Sequence, residues 1–412
     1  MGAFRIREGC LFMSEIIRYE PSEKDEEHLT EIRDFLENEG IPYIEDEDIY
    51  GLFHLNEKSV QLRYVDSFYF PMDNEKRFGE IGKGVPHNYF IEISHSNADN
   101  GIRTIWCFDF EMEQSDDVVI NNVTHEGYRR QWEVIKNTIR TCCGHIHHRI
   151  YARDCYVKEV DNKELRPFLN TNCFYGYRSA SVNLGLYLKK SKGNCQKDTL
   201  LFVLTFGANF YGNKMHQDQP FIEIIRASTK IGYQVIGGMS KVLTHFCKEY
   251  PTLHIGNRDI MVNELIFYCD ASHNDGRGMS HSALAFNFIS WEGCGFMNRW
   301  TCDYNGDEDT RTIINKKGET KNFKGLKGKK GEIFHRKPLF HTQIMKLMSE
   351  GKIVSIANAG TSVYSIRRKT FLQRNSPKWF EDHWDEQLKQ LQEQGFNTDL
   401  LDIDVKPTLN KS

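Results

Sequence analysis

From Tyr151 onward the sequence alternates short β-rich runs with amphipathic helical stretches, and this alternation confines the chain to an α/β architecture. Strands are expected at 150–160, 181–188, 199–206, 221–226 and 265–270, with further strands at 283–288, 289–295, 353–356 and 363–367. Helices are expected at 163–169, after Gly237-Gly238, and at 341–349. A last helix carries Trp379, Phe380, Trp384, Leu388 and Leu391 as one apolar stripe.

The first third reads as a smaller α/β unit ending near His148. Leu29, Ile32, Phe35 and Leu36 recur at helical spacing over 26–39, and Gly40 closes that helix. Residues 60–70 are β-rich and Pro71 ends them. A glycine-rich turn is expected at 79–85. Strands are expected at 89–93 and 102–110, joined by a polar turn over 97–101. Trp132, Ile135 and Ile139 place 128–140 on an amphipathic helix.

A chain of 412 residues exceeds one compact core, which favours two domains with appendages. No apolar run approaches the roughly 20 residues that span a bilayer. Arg5, Arg7 and Glu8 interrupt any signal-peptide core, and Met13 offers an alternative start, so the expected location is cytoplasmic. The 11 cysteines include no CxxC pair. Cys142, Cys143, His145, His147 and His148 form a metal-like cluster that lacks a second pair of ligands at zinc spacing, and a solvated turn after a helix explains it better.

The net charge of −4 is unevenly spread. Residues 20–48 are acidic, whereas 311–337 carry Lys316, Lys317, Lys321, Lys324, Lys327, Lys329 and Lys330 among several glycines. That segment reads as a mobile basic loop, either following a phosphate backbone or serving as a solvated linker.

Two local patterns offer chemistry. Gly237-Gly238-Met239-Ser240-Lys241 opens a helix, where exposed amides and a lysine suit a phosphate, although a tight turn alone would also need the glycines. Asp270 ends a strand before a loop containing Ser272, His273, Asp275, Gly276 and Gly278, the position where open α/β sheets bind ligands. It serves there as a general base or as a cap for the loop.

Taken in order, Tyr151-Ala152-Arg153-Asp154-Cys155, Phe168 to Cys173, Gly176, Leu184 to Tyr187, Thr205-Phe206-Gly207, Glu223 to Arg226, Gly237 to Lys241 and Cys269-Asp270 resemble a domain of phage homing-endonuclease-like proteins. That domain is similar to the GNAT-type acyltransferase fold of the Mom DNA-modification proteins, and Gln343 to Tyr364 fit its tail. Relatives carry Asn-His where this chain has Asn172-Cys173, so Cys173 stands either as a nucleophile or as a buried structural thiol.

The first unit resembles the Vsr-like (EDxHD-like) nuclease domain that precedes this module. The resemblance implies Mg²⁺ held by Glu31 on a helix, Asp66 at a strand and Asp109 (with Glu111 nearby), and a proton shuttle at His87 or His95. Residues 72–86 lack the Ile-Glu and Gly/Trp-His elements expected there.

The implied fold class is α/β (α+β), a small Vsr-like unit followed by a GNAT-like mixed-sheet domain. The expected parts are an N-terminal extension (1–24), the nuclease-type unit (25–148), the GNAT-like domain (149–310), the basic loop (311–337), the end of the GNAT-like module (338–370), and a C-terminal helix and tail (371–412). The implied function is that of a phage DNA-acting protein, working in the host cytoplasm as a Mg²⁺-dependent endonuclease on DNA. The alternatives are a nucleobase-modifying transferase using acyl-CoA, and a decayed DNA- or protein-binding product.

Overall fold

The computed structural model describes residues 22–66, 69–71, 83–85, 88–120, 123–208, 221–255, 258–273, 284, 286–292, 296–306, 311–314, 320–323, 327–334 and 346–401. The fold is α/β with mixed sheets, as the alternation requires. Among the described residues, no helix is long and apolar enough to cross a membrane.

In the N-terminal unit, helix α1 (Glu23–Asn38) begins at a capping box. Ser22 Oγ accepts from the Asp25 amide at 3.2 Å, and the Asp25 carboxylate accepts from the Ser22 amide at 2.9 Å. Its helically spaced Leu29, Ile32, Phe35 and Leu36 are buried. They lie over a four-stranded sheet of β1 (Tyr43–Glu45), β2 (Leu52–Leu55), β3 (Val60–Val65) and β4 (Arg103–Phe108). The first three strands form an antiparallel meander, whereas β4 runs parallel to β3, from Val60↔Arg103 to Val65↔Phe108.

A parallel pair needs a crossover, and here helix α2 (Tyr89–Asp99) lies on it. The sequence suggested a strand over 89–93, because Tyr89, Phe90 and Ile91 are contiguous and aromatic or β-branched. The buried set Phe90, Ile91 and Ser94 instead follows a helical face. Phe90 meets Trp106 edge-on at 4.9 Å between centroids, and the Trp106 indole donates to Ser94 Oγ at 2.9 Å. Asn97, expected in a turn, donates from the helix to Gln61 and Thr104, both at 2.8 Å. The short helix α3 (Asp109–Glu113) and the longer α4 (Arg130–Cys142) complete the unit, with Trp132, Ile135 and Ile139 buried as their spacing predicts.

The C-terminal domain is built on seven strands: β5 (Cys155–Glu159), β6 (Val182–Leu188), β7 (Leu200–Ala208), β8 (Ile222–Thr229), β9 (Glu264–Asp270), β10 (Asn287–Glu292) and β11 (Thr361–Arg367). Their order in the sheet is β5-β6-β7-β8-β9-β11-β10. All neighbours are antiparallel except β8 and β9. Helix α5 (Asn162–Asn172) connects β5 to β6 and is capped by Asp161, which accepts from the Lys163 and Glu164 amides. Helix α6 (Gly238–Glu249) covers β6 and β7, where Phe246 stacks on Phe206 at 3.7 Å between centroids. Helices α7 (Arg368–Asn375) and α8 (Pro377–Glu393) close the same core with Phe371, Leu372, Trp384 and Leu391.

The expectation of a mobile loop over 311–337 is corrected where the chain is described. Arg311–Ile314 and Thr320–Phe323 form a hairpin, Lys327–Gly328 pairs with Tyr304–Asn305, and Ile333–Phe334 pairs with Phe296–Trp300. The β-branched and aromatic residues of these short runs favour strands in the sequence despite the lysines. The helix expected from His341 lies mostly outside the described residues.

The two units share a seam. Val65, Phe90, Trp106 and Phe108 pack with Ala271, Ile356 and Ala359 in one buried cluster. The Trp106 amide donates to the Ser272 carbonyl at 2.9 Å, and Arg103 Nη2 to the His273 carbonyl at 3.0 Å. The loop after Asp270 therefore lies against β4.

Candidate functional site at a strand fork

Two of the three acids singled out for metal chemistry in the N-terminal unit, Glu31 and Asp109, are held by arginines. Glu31 accepts from Arg129 on both carboxylate oxygens and from the Trp132 indole at 2.7 Å. Burial alone would raise its pKa, but these hydrogen bonds and the Arg129 charge hold it below the usual range. Asp109 is buried at the start of α3, where it accepts from the Phe110 amide and, at 3.0 Å, from Arg299 Nη2. Asp66 is buried just past β3, and His95 lies half-buried on α2. His87 falls outside the described residues.

Among the described residues, no group of three or more His, Cys, Asp or Glu is gathered that could hold a metal ion. Of the expected Glu31–Asp66–Asp109 ligand set, two carboxylates, Glu31 and Asp109, are already balanced by guanidinium groups. The shallow cleft at the ends of β2 and β3 is lined by Tyr50, Leu52, Arg63, Tyr89 and Trp106, among others, and its described lining contains no carboxylate. Beside it runs a buried chain that the sequence did not reveal. Tyr64 donates to Asp25 Oδ1 at 2.7 Å and contacts His28 Nδ1 at 2.9 Å. With its proton given to Asp25, the Tyr64 oxygen is left to accept from His28 Nδ1, and burial lowers the His28 pKa against the pull of Glu113 and Asp109.

The phosphate-site expectation at Gly237, Gly238, Ser240 and Lys241 meets a similar outcome. Gly237 takes a left-handed conformation (φ 77°), and a Cβ on Gly238 would lie 3.1 Å from Val235 Cγ1 and 3.3 Å from Leu186 Cδ1. The left-handed turn thus favours glycine at 237, and a side chain at 238 would press on Val235 and Leu186. Lys241 Nζ donates to the carbonyls of Ala152 at 2.9 Å and Cys155 at 2.6 Å, which ties α6 to β5 and uses the charge the site was expected to offer. Ser240 is half-buried at the helix start. Of the basic residues, Lys316, Lys317 and Lys324 lie outside the described residues, and the side chain of Lys321 does too. Lys327 lies in its short strand, while Lys329 and Lys330 are exposed in a turn.

Cys173 ends α5 and packs with Leu165, Leu169, Tyr187 and Leu200. Burial pushes its thiol pKa up, although Arg226 opposes this, and a protonated buried thiol is a poor nucleophile. The structural reading of Cys173 replaces the catalytic one.

Asp270 differs from these residues, because it stands where the sheet opens. Strands β8 and β9 pair in parallel through Ile222↔Leu265, Glu223↔Ile266 and Ile224↔Phe267, and then part. Their carboxyl ends form a fork with Arg226 on one arm and Asp270 on the other. The loop after α5 bridges the fork. Arg226 Nε donates to the Gly176 carbonyl at 2.9 Å, and the Tyr175 hydroxyl donates to Asp270 Oδ2. The other oxygen, Oδ1, accepts from the Ser272 amide at 2.8 Å, so Asp270 also caps its loop.

Two further groups complete the cluster. Glu111 is buried on α3, where it accepts from the Phe108 amide at 2.9 Å. Burial, followed by the charge of Asp270, pushes its carboxyl well above the usual range. Burial of the Tyr175 hydroxyl beside Asp270 pushes that phenol up as well, although half of the residue's surface stays accessible. His273 packs edge-on against Phe174 at 5.0 Å, and burial lowers its pKa. Its buried Nε2 has no hydrogen-bond partner among the described residues.

Asp270 and Tyr175 thus share a hydrogen bond at the fork, with His273 three residues on and Glu111 close enough to feel the Asp270 charge, and carboxyl, phenol and imidazole groups arranged in this way can accept and donate protons. Tyr175 was not a candidate from the sequence; Glu111 was noted only beside the expected metal ligands, and His273 only in the loop that follows Asp270. His273 follows it by three residues, the one local signal available. Glu111 and Tyr175 are 159 and 95 residues away in the chain, and folding alone brings them to Asp270.

No family model matches the chain, and no curated protein matches it significantly.

Proposed function

We propose that this protein is a group-transfer enzyme whose chemistry takes place at the fork between β8 and β9, with a nucleobase amine as acceptor and an acyl thioester as donor. The observation that carries this reading is the divergence of two parallel strands beyond Ile224 and Phe267, with Asp270 and Tyr175 hydrogen-bonded across the opening. Open sheets bind ligands at the carboxyl ends of their strands, where such openings lie. The choice of acceptor and donor follows the resemblance to Mom-type domains.

In this reading the acceptor amine attacks the thioester carbonyl, forming the amide C–N bond and breaking the C–S bond. Asp270 takes the proton released by the amine. Tyr175 supplies a proton to the departing thiolate and recovers one from Asp270 through the hydrogen bond they share. Burial raises the Glu111 carboxyl, which disfavours a second negative charge near Asp270.

Support for a Mg²⁺-dependent endonuclease comes from the sequence resemblance alone. The arginines on Glu31 and Asp109 fit that metal poorly, and no step is assigned to it.

The test uses the purified chain with radiolabelled acetyl-CoA and DNA. Label should enter the DNA and fall by about 100-fold or more in Asp270→Asn, the range general acid–base groups contribute. A parallel incubation of plasmid with Mg²⁺ or Mn²⁺ should leave it intact. No transfer from any acyl-CoA, or transfer indifferent to Asp270→Asn, would sink the proposal. Cleavage abolished by Asp66→Ala would replace it with the nuclease reading.

A further inference from the structure

A second surface, separate from the fork residues, carries its own pattern. Strand His148–Tyr151 pairs in parallel with strand Tyr233–Ile236, joining Arg149 to Val235's neighbour Gln234 and Tyr151 to Ile236. Side chains alternate along the strand. Ile150 is buried and His148 stacks on Tyr233, whereas Arg149 and Tyr151 both face solvent. Arg149 Nε donates to Gln234 Oε1 at 3.0 Å, which fixes the guanidinium along this face.

Tyr151 is 41% exposed, and cations lie close to its ring. The Arg153 guanidinium lies 4.9 Å from its ring centroid and Lys192 Nζ 5.9 Å from it. Lys189 Nζ donates to the Arg153 carbonyl at 2.9 Å, and Lys192 pairs with Asp154 at 3.0 Å. Arg149, Arg153, Lys189 and Lys192 are all exposed. An exposed aromatic on a small two-stranded ladder, with two cations at its ring and two more exposed on the same two chain segments, has the two properties a single polynucleotide strand needs. Its bases stack on π-faces and guanidinium planes, and its phosphates are spaced to meet separate cations. A duplex offers only its backbone to such a face, because its bases are already stacked.

We infer that the face formed by Arg149, Tyr151, Arg153, Lys189 and Lys192 binds single-stranded nucleic acid, with a base on Tyr151 and its neighbouring phosphates on the cations. This inference is independent of the chemistry assigned to the fork. Loss of transfer activity would leave it standing, and loss of strand binding would leave the fork standing.

The test is fluorescence anisotropy of the full chain with labelled dT15, rU15 and a 15-base-pair duplex across a salt series. Binding of either single strand, tighter than the duplex, is expected, and the two single strands show which sugar is preferred. Tyr151→Ala should weaken single-strand binding by about tenfold, the size of one base–aromatic stack, while Tyr151→Phe retains it. Lys192→Ala should flatten the slope of log affinity against log salt by roughly 0.7, one phosphate's share. Unchanged thermal melting of each variant shows that the fold is intact, as expected for exposed side chains. Equal or tighter duplex binding, no binding of either strand, or a Tyr151→Ala variant that binds as well as the parent would overturn the inference.

Discussion

Arg299 and Asp109 are 190 residues apart in the chain, yet Arg299 Nη2 donates to Asp109 Oδ2 at 3.0 Å and so joins the two units of the protein. Both side chains are largely buried, at 15% and 6% exposed, and Glu113 lies 3.4 Å from the same nitrogen. Removing the guanidinium would leave a buried carboxylate without its countercharge. Arg299→Met should therefore destabilise the fold by about 3 kcal/mol, measured by urea unfolding. Asp109→Asn in the same background should recover part of the loss. Equal stability of Arg299→Met and the parent would show the pair to be incidental.

Glu111 makes stability depend on pH. Its folded pKa is raised above the ordinary 4.5 by burial and by Asp270, so the unfolded chain releases this proton at lower pH than the folded one. The contribution is fully present below pH 4.5 and is lost as pH rises from there through the folded value. Glu111→Gln, which cannot ionise, should be more stable than the parent at pH 7 to 8, and the difference should shrink towards pH 4.5. Denaturant midpoints for both proteins across this range would check it. A difference that grows on acidification contradicts the assigned state.

Lys241 is a tie rather than a ligand group. With Nζ on the Ala152 and Cys155 carbonyls, Lys241→Met should cost about 1.5–3 kcal/mol, the range for a hydrogen bond from a charged group. The affinity for acyl-CoA, measured by calorimetry at a temperature where the variant is folded, should not change. A large loss of affinity with full stability would restore the phosphate-binding role.

Glu31 offers the corresponding test in the N-terminal unit. Glu31→Ala takes an acceptor from Trp132, whose ring is buried, and a partner from Arg129, and should cost roughly 1–2 kcal/mol. The effect should be the same with and without Mg²⁺. A melting temperature that rises with Mg²⁺ in the parent and not in Glu31→Ala would instead identify a metal ligand.

Much of the fold was legible because burial writes a period into the sequence. Leu29, Ile32, Phe35 and Leu36 declared α1, and Trp132, Ile135 and Ile139 declared α4. The strand reading failed at 89–93, where three contiguous apolar residues fit a buried strand and a helix face equally well until Trp106 and Phe108 supplied the surface against which Phe90 packs. The lysine-rich segment after Arg311 misled for the opposite reason. Its charge suggested a linker, whereas part of it pairs as a hairpin with itself and the rest pairs with Tyr304–Asn305 and Phe296–Trp300.

The same division runs through the site. By itself, the sequence determined the α/β alternation, the glycine turn that opens α6 and the placement of Asp270 at a strand end, because each depends on residues near one another in the chain. Only the tertiary structure decided which carboxylates are spent on arginines and which meet a phenol. Glu31, Asp109 and Asp270 look alike as acidic residues at the ends or faces of elements. Their roles diverge because folding sets Arg129 and Arg299 against the first two, and Tyr175 and Glu111 beside the third. A carboxylate's chemistry is fixed by the charges and donors within a few ångströms of it, and here those come from distant parts of the chain.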